Sequence, residues 1–196
     1  MIQKEPGEKP YFLCIGQQME YAGFWRRFGA FWIDGIVFLP VTGIFYLAQE
    51  HFRLAELYLL APMLAVSIWF QIYLVAKYGG TPGKILLKIR IVMVDGSPAT
   101  MKAAILRYAI LLILSLLSQT AYIMAVLKMT DTEYHALSFM PRTLRLHELA
   151  PSWLPVVDAL LQIWIWGEFI TLLFNKKRRA VHDFIAGTVV IKKRSQ

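Results

Sequence analysis

Three acidic side chains lie inside long apolar stretches of the sequence, where water cannot stabilise a charge. They are Asp34, Asp158 and Glu168. A charged group at the centre of a bilayer costs about 2.5–3.5 kcal/mol on insertion scales, so such residues usually face a partner or a water-filled cavity. Asp158 lies only about one turn from the end of its stretch and can reach the headgroups. Asp34 and Glu168 are therefore the candidates for an ion-binding or proton-binding group within the membrane.

Arg27 is the nearest basic partner for these acids. It precedes Asp34 by seven residues, which places both on one helix face with about 10 Å between their α-carbons. A long arginine covers only part of that gap, so we expect a third partner, and Asp183 in the C-terminal region is the best candidate. Asp34 and Glu168 also lie at similar depths, roughly 8 and 10 Å from the same surface. The predicted buried cluster comprises Arg27 (or the adjacent Arg26), Asp34, Asp183, Glu168 and Arg107.

Two functions are compatible with this cluster. It can bind a transported ion or a small charged solute, or it can be structural, because buried ion pairs often fix an arrangement rather than add stability. His182, next to Asp183, adds a group that titrates near neutral pH and could relay a proton. A single histidine at a membrane edge can equally be an ordinary hydrogen-bonding residue.

The sequence shows no sign of enzymatic chemistry. It contains no GxSxG, HExxH or GxGxxG motif, and the glycine-rich segment 79–84 lacks the spacing of a phosphate-binding loop, so we interpret it as a tight turn. The remaining histidines lack the spacing of a zinc site, and the single cysteine excludes an intramolecular disulfide. We therefore expect no catalytic residue, no cofactor and no bound metal, and a protein that is not an enzyme.

The composition is that of an integral membrane protein. Hydrophobic residues make up 57% of the 196 residues and charged residues 17%, and the mean hydropathy is +0.49. Soluble chains are about half apolar and about a quarter charged, so a soluble enzyme, a disordered tail and a coiled coil are excluded. The net charge of +8 comes from Lys and Arg that flank the apolar blocks, as membrane insertion requires. We therefore expect anionic lipid headgroups, and not nucleic acid, as the partners of this charge.

Four apolar stretches have the length of roughly 20 residues that a spanning helix needs. The sequence thus predicts an all-α membrane domain, residues 21–191, between an N-terminal segment, residues 1–20, and a basic tail, residues 192–196. The long connection 128–152 has no assigned role. The predicted spans are residues 29–48, 54–76, 103–127 and 154–174.

The distribution of basic residues predicts the orientation. Of the 21 Lys and Arg residues, 17 lie in the segments on one side of the four spans and 4 on the other. Basic residues are retained in the cytoplasm during insertion. Both termini are therefore predicted to be cytoplasmic.

The segments that follow the second and fourth spans have a pattern of their own. "TPGKILLKIR" and "VHDFIAG" mix apolar and polar residues as short interfacial helices do. Residues 89–94 and 188–192 are rich in β-branched residues, and the first of these runs ends at an Asp-Gly turn. We predict that the two runs pair as a small cytoplasmic β-ribbon; the alternative is irregular structure at headgroup level.

The layout suggests an internal duplication. Arg27-Phe28 begins the first half and Arg107-Tyr108 the second, and each half continues with a second span, an amphipathic segment and a β-rich segment. Aligning "KILLKIRIVM" with "HDFIAGTVVI" places Lys84 opposite His182. Such a parallel repeat would have its pseudo-axis along the membrane normal. The alternative is chance similarity between apolar helices.

Three blocks resemble the RDD family of small bacterial membrane proteins. They are "YAGFWRRFGAFWIDGIV", "GGTPGKILLKIRIVMVDG" and "RRAVHDFIAGTVVI", at residues 21–37, 79–96 and 178–191. The family is named for one Arg and two Asp residues, which the resemblance places at Arg27 (or Arg26), Asp34 and Asp183. Lys88 stands where similar proteins usually have glycine. The resemblance implies an inner-membrane location and a suspected transport role without a defined substrate.

Two functions follow as expectations. The first is transport, either the exchange of a cation for a proton or the carriage of a small charged solute, with Asp34 as the carboxylate that binds alternately. Four helices rarely enclose a pathway alone, so this function requires a homo-oligomer. The second is a non-transporting scaffold, assembly factor or lipid-binding partner.

Overall fold

The computed structural model describes residues 20–175 and 178–193. Of the predicted N-terminal segment, only Glu20 falls in these ranges, and of the basic tail only Lys192 and Lys193; the rest of both segments lies outside the described residues. The elements, in chain order, are α1 Phe24–His51, α2 Ala55–Ile68, a π-helical turn Trp69–Tyr73, α3 Leu74–Tyr78, α4 Pro82–Leu86, β1 Ile89–Met93, α5 Met101–Lys128, α6 Asp131–Ala136, α7 Phe139–Leu149, α8 Leu154–Phe174, α9 Val181–Ala186 and β2 Thr188–Lys192.

Four helical segments are long and apolar enough to cross a membrane, which confirms the predicted number of spans. They are Phe24–His51, Ala55–Leu86, Met101–Lys128 and Leu154–Phe174. Many large apolar side chains along them are exposed, including Ile36, Leu39 and Trp166. Such exposure is expected where lipid surrounds the helices, because lipid tails are as apolar as the side chains themselves.

The first span begins five residues earlier than predicted. Because Arg26 and Arg27 belong to the first turns of α1, the apolar stretch alone does not reveal where the helix starts. The second span is interrupted at Gly79, whose φ of 76° caps α3 in the left-handed conformation. This geometry is the tight turn predicted for the glycine-rich segment, and it suits glycine, which has no Cβ.

The chain forms two compact units. The first includes residues 20–34, 69–108, 167–175 and 178–193, with a core around Ala30, Val75 and Ile91. The second includes residues 35–68 and 109–166, with a core around Val126, Tyr134 and Leu146.

The predicted β-ribbon is confirmed within the first unit. β1 and β2 pair antiparallel with Ile91 opposite Val190 at the centre of the register. Val92, Val189 and Val190 are fully buried, and burying each apolar side chain contributes roughly 1.5–3 kcal/mol. Tyr21 forms a further bridge to Ile191. The cytoplasmic location of the ribbon stays a prediction.

The two short helices and their strands share one pattern, as the suggested duplication requires. α4 leads to Lys88 and α9 leads to Gly187, each in the left-handed conformation and each immediately before a strand. When Lys88 is aligned with Gly187, the alignment of the two halves shifts by one residue from the one based on sequence. Lys84 then corresponds to Asp183 and not to His182. With this offset, the central ribbon pair of Ile91 and Val190 joins equivalent positions of the two halves.

Candidate functional site

Asp183 is the centre of a buried polar cluster in the first unit, and its own short helix positions it. α9 starts after Ala180, whose backbone is extended. The Ala180 N–H donates to Asp183 Oδ2 at 3.1 Å, and the Thr188 hydroxyl donates to Oδ1 at 2.9 Å. A carboxylate in the first turn satisfies N–H groups that have no helical partner and is stabilised by the helix dipole. The Asp183 side chain is completely buried.

Two arginines from different spanning helices bind this one carboxylate. Arg27 Nη1 in α1 donates to Oδ2 at 2.9 Å, and Arg107 Nη1 in α5 donates to Oδ1. Arg27 Nη2 also donates to the Arg178 carbonyl at 2.6 Å, while Arg27 Nε is buried without a hydrogen-bond partner in the described part of the chain. Charge-assisted hydrogen bonds of this kind are shorter and about twice as strong as neutral ones.

A second carboxylate completes the cluster through a histidine. Arg107 Nη2 lies 2.7 Å from His182 Nε2. Because a guanidinium can only donate, Nε2 must accept and the ring proton resides on Nδ1. Nδ1 then donates to Glu168 Oε2, and the His182 backbone N–H donates to Glu168 Oε1 at 3.2 Å. Arg107 thus binds Asp183 directly and is joined to Glu168 through a neutral imidazole.

The surroundings of His182 and Asp183, the two titratable groups of α9, hold each of them in a single protonation state. Burial lowers the pKa of His182 and the nearby Arg107 guanidinium lowers it further, against the opposing effect of Asp183 and Glu168. Burial alone would raise the pKa of Asp183, but Arg107 and Arg27 outweigh it and hold that pKa well below its usual range. At neutral pH the cluster therefore contains an ionised Asp183 and a neutral His182.

Asp34 lies elsewhere in the same unit, against the start of α4. The Thr81 hydroxyl donates to Oδ2 at 2.5 Å and the Gly83 N–H donates to Oδ1 at 2.8 Å. Lys84 Nζ lies 3.3 Å from Thr81 Oγ1. Asp34 is half-buried and forms no salt bridge with any residue of the described ranges.

The model of the RDD family matches residues 21–187, a range that contains Arg27, Asp34 and Asp183. The chain belongs to the RDD family. No curated protein and no solved structure matches it.

In this RDD chain, the side chains predicted to form one cluster form two sites, one around Asp183 and one around Asp34. Arg27, Arg107, Asp183, His182 and Glu168 lie together, whereas Asp34 has its own partners. Helical side chains tilt toward the helix N-terminus. This tilt directs Arg27 away from Asp34, which follows it in α1, and toward the C-terminal segment. Arg26 is exposed, so Arg27 is the arginine that binds Asp183.

Gly83 lets Asp34 approach α4. A Cβ at this position would collide with the backbone carbonyl of Ala30 and lie 2.9 Å from Asp34 Oδ1. Neither Thr81 nor Gly83 was predicted as a site residue. The signal was available, because Thr followed by Pro is typical of a helix N-cap and its first position.

The two halves of the RDD chain use one arrangement twice. Gly83 and His182 are equivalent under the structural offset, and each backbone N–H donates to a carboxylate from a spanning helix. The acceptor is Asp34 for α4 and Glu168 for α9. Each short helix is therefore anchored at its N-terminal end by a membrane-embedded acid.

Arg179, which was not predicted as a site residue, also supports the cluster. Its Nη2 donates to the Asp183 carbonyl at 2.8 Å and its Nε to the Thr188 carbonyl at 3.1 Å. Its guanidinium also lies over the Phe184 ring at 4.3 Å. Arg179 thus joins α9 to β2. The nearby Lys176 and Lys177 lie outside the described residues.

Near the N-terminal end of α8, Asp158 has weaker partners than Glu168 has. Asp158, in the second unit, accepts a hydrogen bond from Ser118 at 3.2 Å and lies 3.7 Å from His147 Nε2. Its side chain is 35% exposed, which fits the expectation that it reaches the headgroups. It serves below as a matched control for Asp34.

Proposed function

We propose that the protein is a multi-pass inner-membrane transporter that either exchanges a cation for a proton at Asp34 or carries a small charged solute. The observation that carries the proposal is the contrast between the two aspartates. Asp183 is fully buried and bound by two arginines. Asp34 lies in a spanning helix, is half-buried, and accepts only a hydroxyl and a backbone N–H from the described residues.

The environment of Asp34 suits a group that changes partner. Acids within spanning segments commonly mark ion pathways and proton relays. Protonating Asp34, or replacing one donor by a cation, requires no fixed ion pair to be broken. Hard cations prefer oxygen ligands, and the Asp34 carboxylate and the Thr81 hydroxyl offer them at one point. Lys84, hydrogen-bonded to Thr81, can supply positive charge when the site is empty.

The Asp183 cluster has a structural role in this proposal. Both Asp183 oxygens are bound by arginines, the imidazole is neutral, and the pKa of Asp183 lies below the physiological range. Breaking such a buried pair by removing one partner is strongly destabilising. The cluster therefore holds α1, α5 and α9 at the end of the spans, so that Asp34 stays positioned against α4.

Orientation and assembly are part of the same proposal. The 17 to 4 distribution of basic residues supports cytoplasmic termini, which places the ribbon and the start of α4 on the cytoplasmic side. Because four helices rarely enclose a pathway, transport takes place in a homo-oligomer. Neither exchange of ions nor carriage requires catalytic chemistry or a cofactor.

One observation favours the second candidate, a non-transporting scaffold, assembly factor or lipid-binding partner. The cluster around Asp183 is buried and closely hydrogen-bonded, as expected for an anchor that fixes the C-terminal segment. In that case Asp34 is simply the N-terminal cap of α4. The two candidates differ in whether neutralising Asp34 abolishes an ion flux or only lowers stability.

The test is proton flux in proteoliposomes under imposed Na⁺, K⁺ or Li⁺ gradients, followed with an internal pH-sensitive dye. Wild type is compared with Asp34→Asn, which keeps the size of the side chain but replaces one acceptor oxygen by an amide NH2 group and cannot carry the charge. Asp158→Asn is the matched control, because it removes another acid from a spanning helix. We expect cation-driven flux in wild type and in Asp158→Asn, and none in Asp34→Asn.

Two results would contradict the exchange. One is the absence of cation-driven flux in folded, correctly inserted wild type, and the other is equal flux in wild type and Asp34→Asn. Uptake of radiolabelled organic anions and cations into the same proteoliposomes tests the carriage of a charged solute. If that is also absent, the scaffold function is favoured.

A further inference from the structure

A cavity of about 400 Å³ opens in the first unit, beside the start of α1 and the end of α8. Its lining residues include neither Asp34 nor Asp183, nor the side chains that bind those two carboxylates. Its lining combines three basic side chains, from Arg26, Arg178 and Lys192, with apolar walls from both helices.

The basic side chains leave this cavity with excess positive charge. Arg26 and Arg178 are exposed and form no salt bridge with a residue that the structure describes. Lys192 contacts the Glu20 carboxylate, which is itself more than half exposed. Arg178 is held in place through its backbone, because its carbonyl accepts from Arg27 and its N–H donates to the Asn175 carbonyl at 2.8 Å. Its backbone φ is 48°, in the left-handed region.

The apolar walls continue onto the membrane-facing surface. Trp25 is 79% exposed and Leu173 is 62% exposed, and both line the cavity. These residues lie at the ends of two spans, Phe24–His51 and Leu154–Phe174, and ring contacts between Phe24 and Phe169 at 6.0 Å join the two helix ends. A tryptophan at the end of a span is typical of the headgroup level of a bilayer.

We propose that this cavity binds the headgroup of an anionic phospholipid. The phosphate lies between Arg26, Arg178 and Lys192, and an acyl chain lies along Trp25 and Leu173. A guanidinium pair binds phosphate oxygens through directed, charge-assisted hydrogen bonds, and basic pockets between spanning helices bind anionic lipid headgroups. A water-soluble phosphate compound would use the basic side chains but not the exposed apolar wall. The inference does not depend on transport or on Asp34.

The test is native mass spectrometry of the full chain in detergent, titrated with phosphatidylglycerol or with phosphatidylcholine of the same acyl chains. We expect wild type to bind phosphatidylglycerol more tightly. Each basic residue near a lipid surface contributes about fivefold in affinity, so Arg26→Gln/Arg178→Gln should weaken phosphatidylglycerol binding by roughly 30-fold. The matched control is Lys102→Gln, which removes an exposed charge that does not line the cavity and should therefore leave phosphatidylglycerol binding close to that of wild type.

Folding and ligand source are checked in the same preparation. Both arginine side chains are exposed and the substitutions leave the backbone contacts of Arg178 intact, so the thermal unfolding midpoint should stay close to wild type. A Leu173→Asn variant tests the apolar wall independently, and it should weaken binding of both lipids while the preference for phosphatidylglycerol remains.

Three results would overturn the proposal. The first is equal affinity of wild type for the two lipids, and the second is unchanged phosphatidylglycerol binding in Arg26→Gln/Arg178→Gln. The third is displacement of the lipid by glycerol phosphate at the same concentration, which would assign the cavity to a soluble phosphate compound.

Discussion

Arg27 and Arg107, from the first and third spanning helices, bind the two oxygens of a single carboxylate, Asp183. Each arginine stands near the start of its own half of the chain, and the carboxylate belongs to the end of the second half. Lys84, which corresponds to Asp183 in the first half, cannot bind a second arginine. The arginines of both halves therefore bind the same acid, which the C-terminal segment supplies.

Because two arginines share this one carboxylate, we predict that Asp183 is essential for stability. Asp183→Asn keeps the shape of the side chain but leaves Arg27 and Arg107 buried beside a neutral group. Removing one partner from a buried ion pair typically costs about 3–5 kcal/mol. We therefore expect a large fall in the thermal unfolding midpoint, measured in detergent by tryptophan fluorescence.

Asp95→Asn provides the control for this measurement. The Asp95 carboxylate accepts only from Ser97 among the described residues, and surface substitutions usually stay within about 0.5 kcal/mol. If Asp183→Asn unfolds at the same temperature as Asp95→Asn, the cluster does not hold the first unit together.

The neutral His182 predicts that stability falls at mildly acidic pH. Its pKa is lowered in the folded protein by burial and by Arg107, so below the usual value near pH 6.5 the unfolded chain takes up a proton that the folded chain does not. Stability rises with pH wherever the unfolded state binds more protons, and the loss therefore starts as the pH drops through about 6.5. The pKa of Asp183 is lowered below its usual acidic range, so that group stays ionised across this window.

The measurement is the unfolding midpoint of wild type and His182→Gln between pH 8 and pH 5. Glutamine can still accept from Arg107 through its side-chain oxygen but does not titrate. We expect the difference between the two midpoints at pH 8 to shrink as the pH falls. Parallel curves over the whole range would show that His182 is not held neutral in the folded protein.

The spans and the ribbon were predictable because they depend on local patterns. A run of about 20 apolar residues identifies a spanning helix, and the β-branched residues before the Asp95-Gly96 turn identify β1. The Ser97 bonds to Asp95 and the φ of 84° at Gly96 fix that turn.

The division into two aspartate sites was not predictable in the same way. The seven-residue spacing places Arg27 and Asp34 on one face of α1, but a spacing does not show which distant segment packs there. Asp34 finds its donors at Thr81 and Gly83, which are far away in sequence. The position of His182 relative to Glu168 likewise depends on the fold of the C-terminal segment.

The close approach of α4 to α1 predicts that Gly83 tolerates no side chain. A Cβ there collides with the Ala30 carbonyl, which belongs to the helix backbone and cannot move aside. Overpacking of this kind typically costs about 1–3 kcal/mol, so Gly83→Ala should lower the unfolding midpoint and displace the donors of Asp34. Gly43→Ala is the control, because nothing lies within 4 Å of its new Cβ. Equal midpoints for the two variants would mean that α4 does not pack as closely as described.

Lys88 and Gly187, the two left-handed residues before the strands, predict that Lys88→Gly and Gly187→Ala have opposite effects on stability. Lys88 has a φ of 54° and an exposed side chain, whereas Gly187 has a φ of 66°. A residue with a Cβ is less stable than glycine in this conformation by roughly 1–2 kcal/mol, so Lys88→Gly should raise the unfolding midpoint and Gly187→Ala should lower it. A Cβ at Gly187 would have room, since its nearest neighbour is Met93 Cε at 3.8 Å. The loss of stability at Gly187 is therefore conformational rather than steric.

In the double variant Lys88→Gly/Gly187→Ala the two effects should largely cancel, because each turn acts on its own short helix and strand. A midpoint that falls for both single variants would show that the Lys88 side chain makes a stabilising contact, and that the two turns are not equivalent.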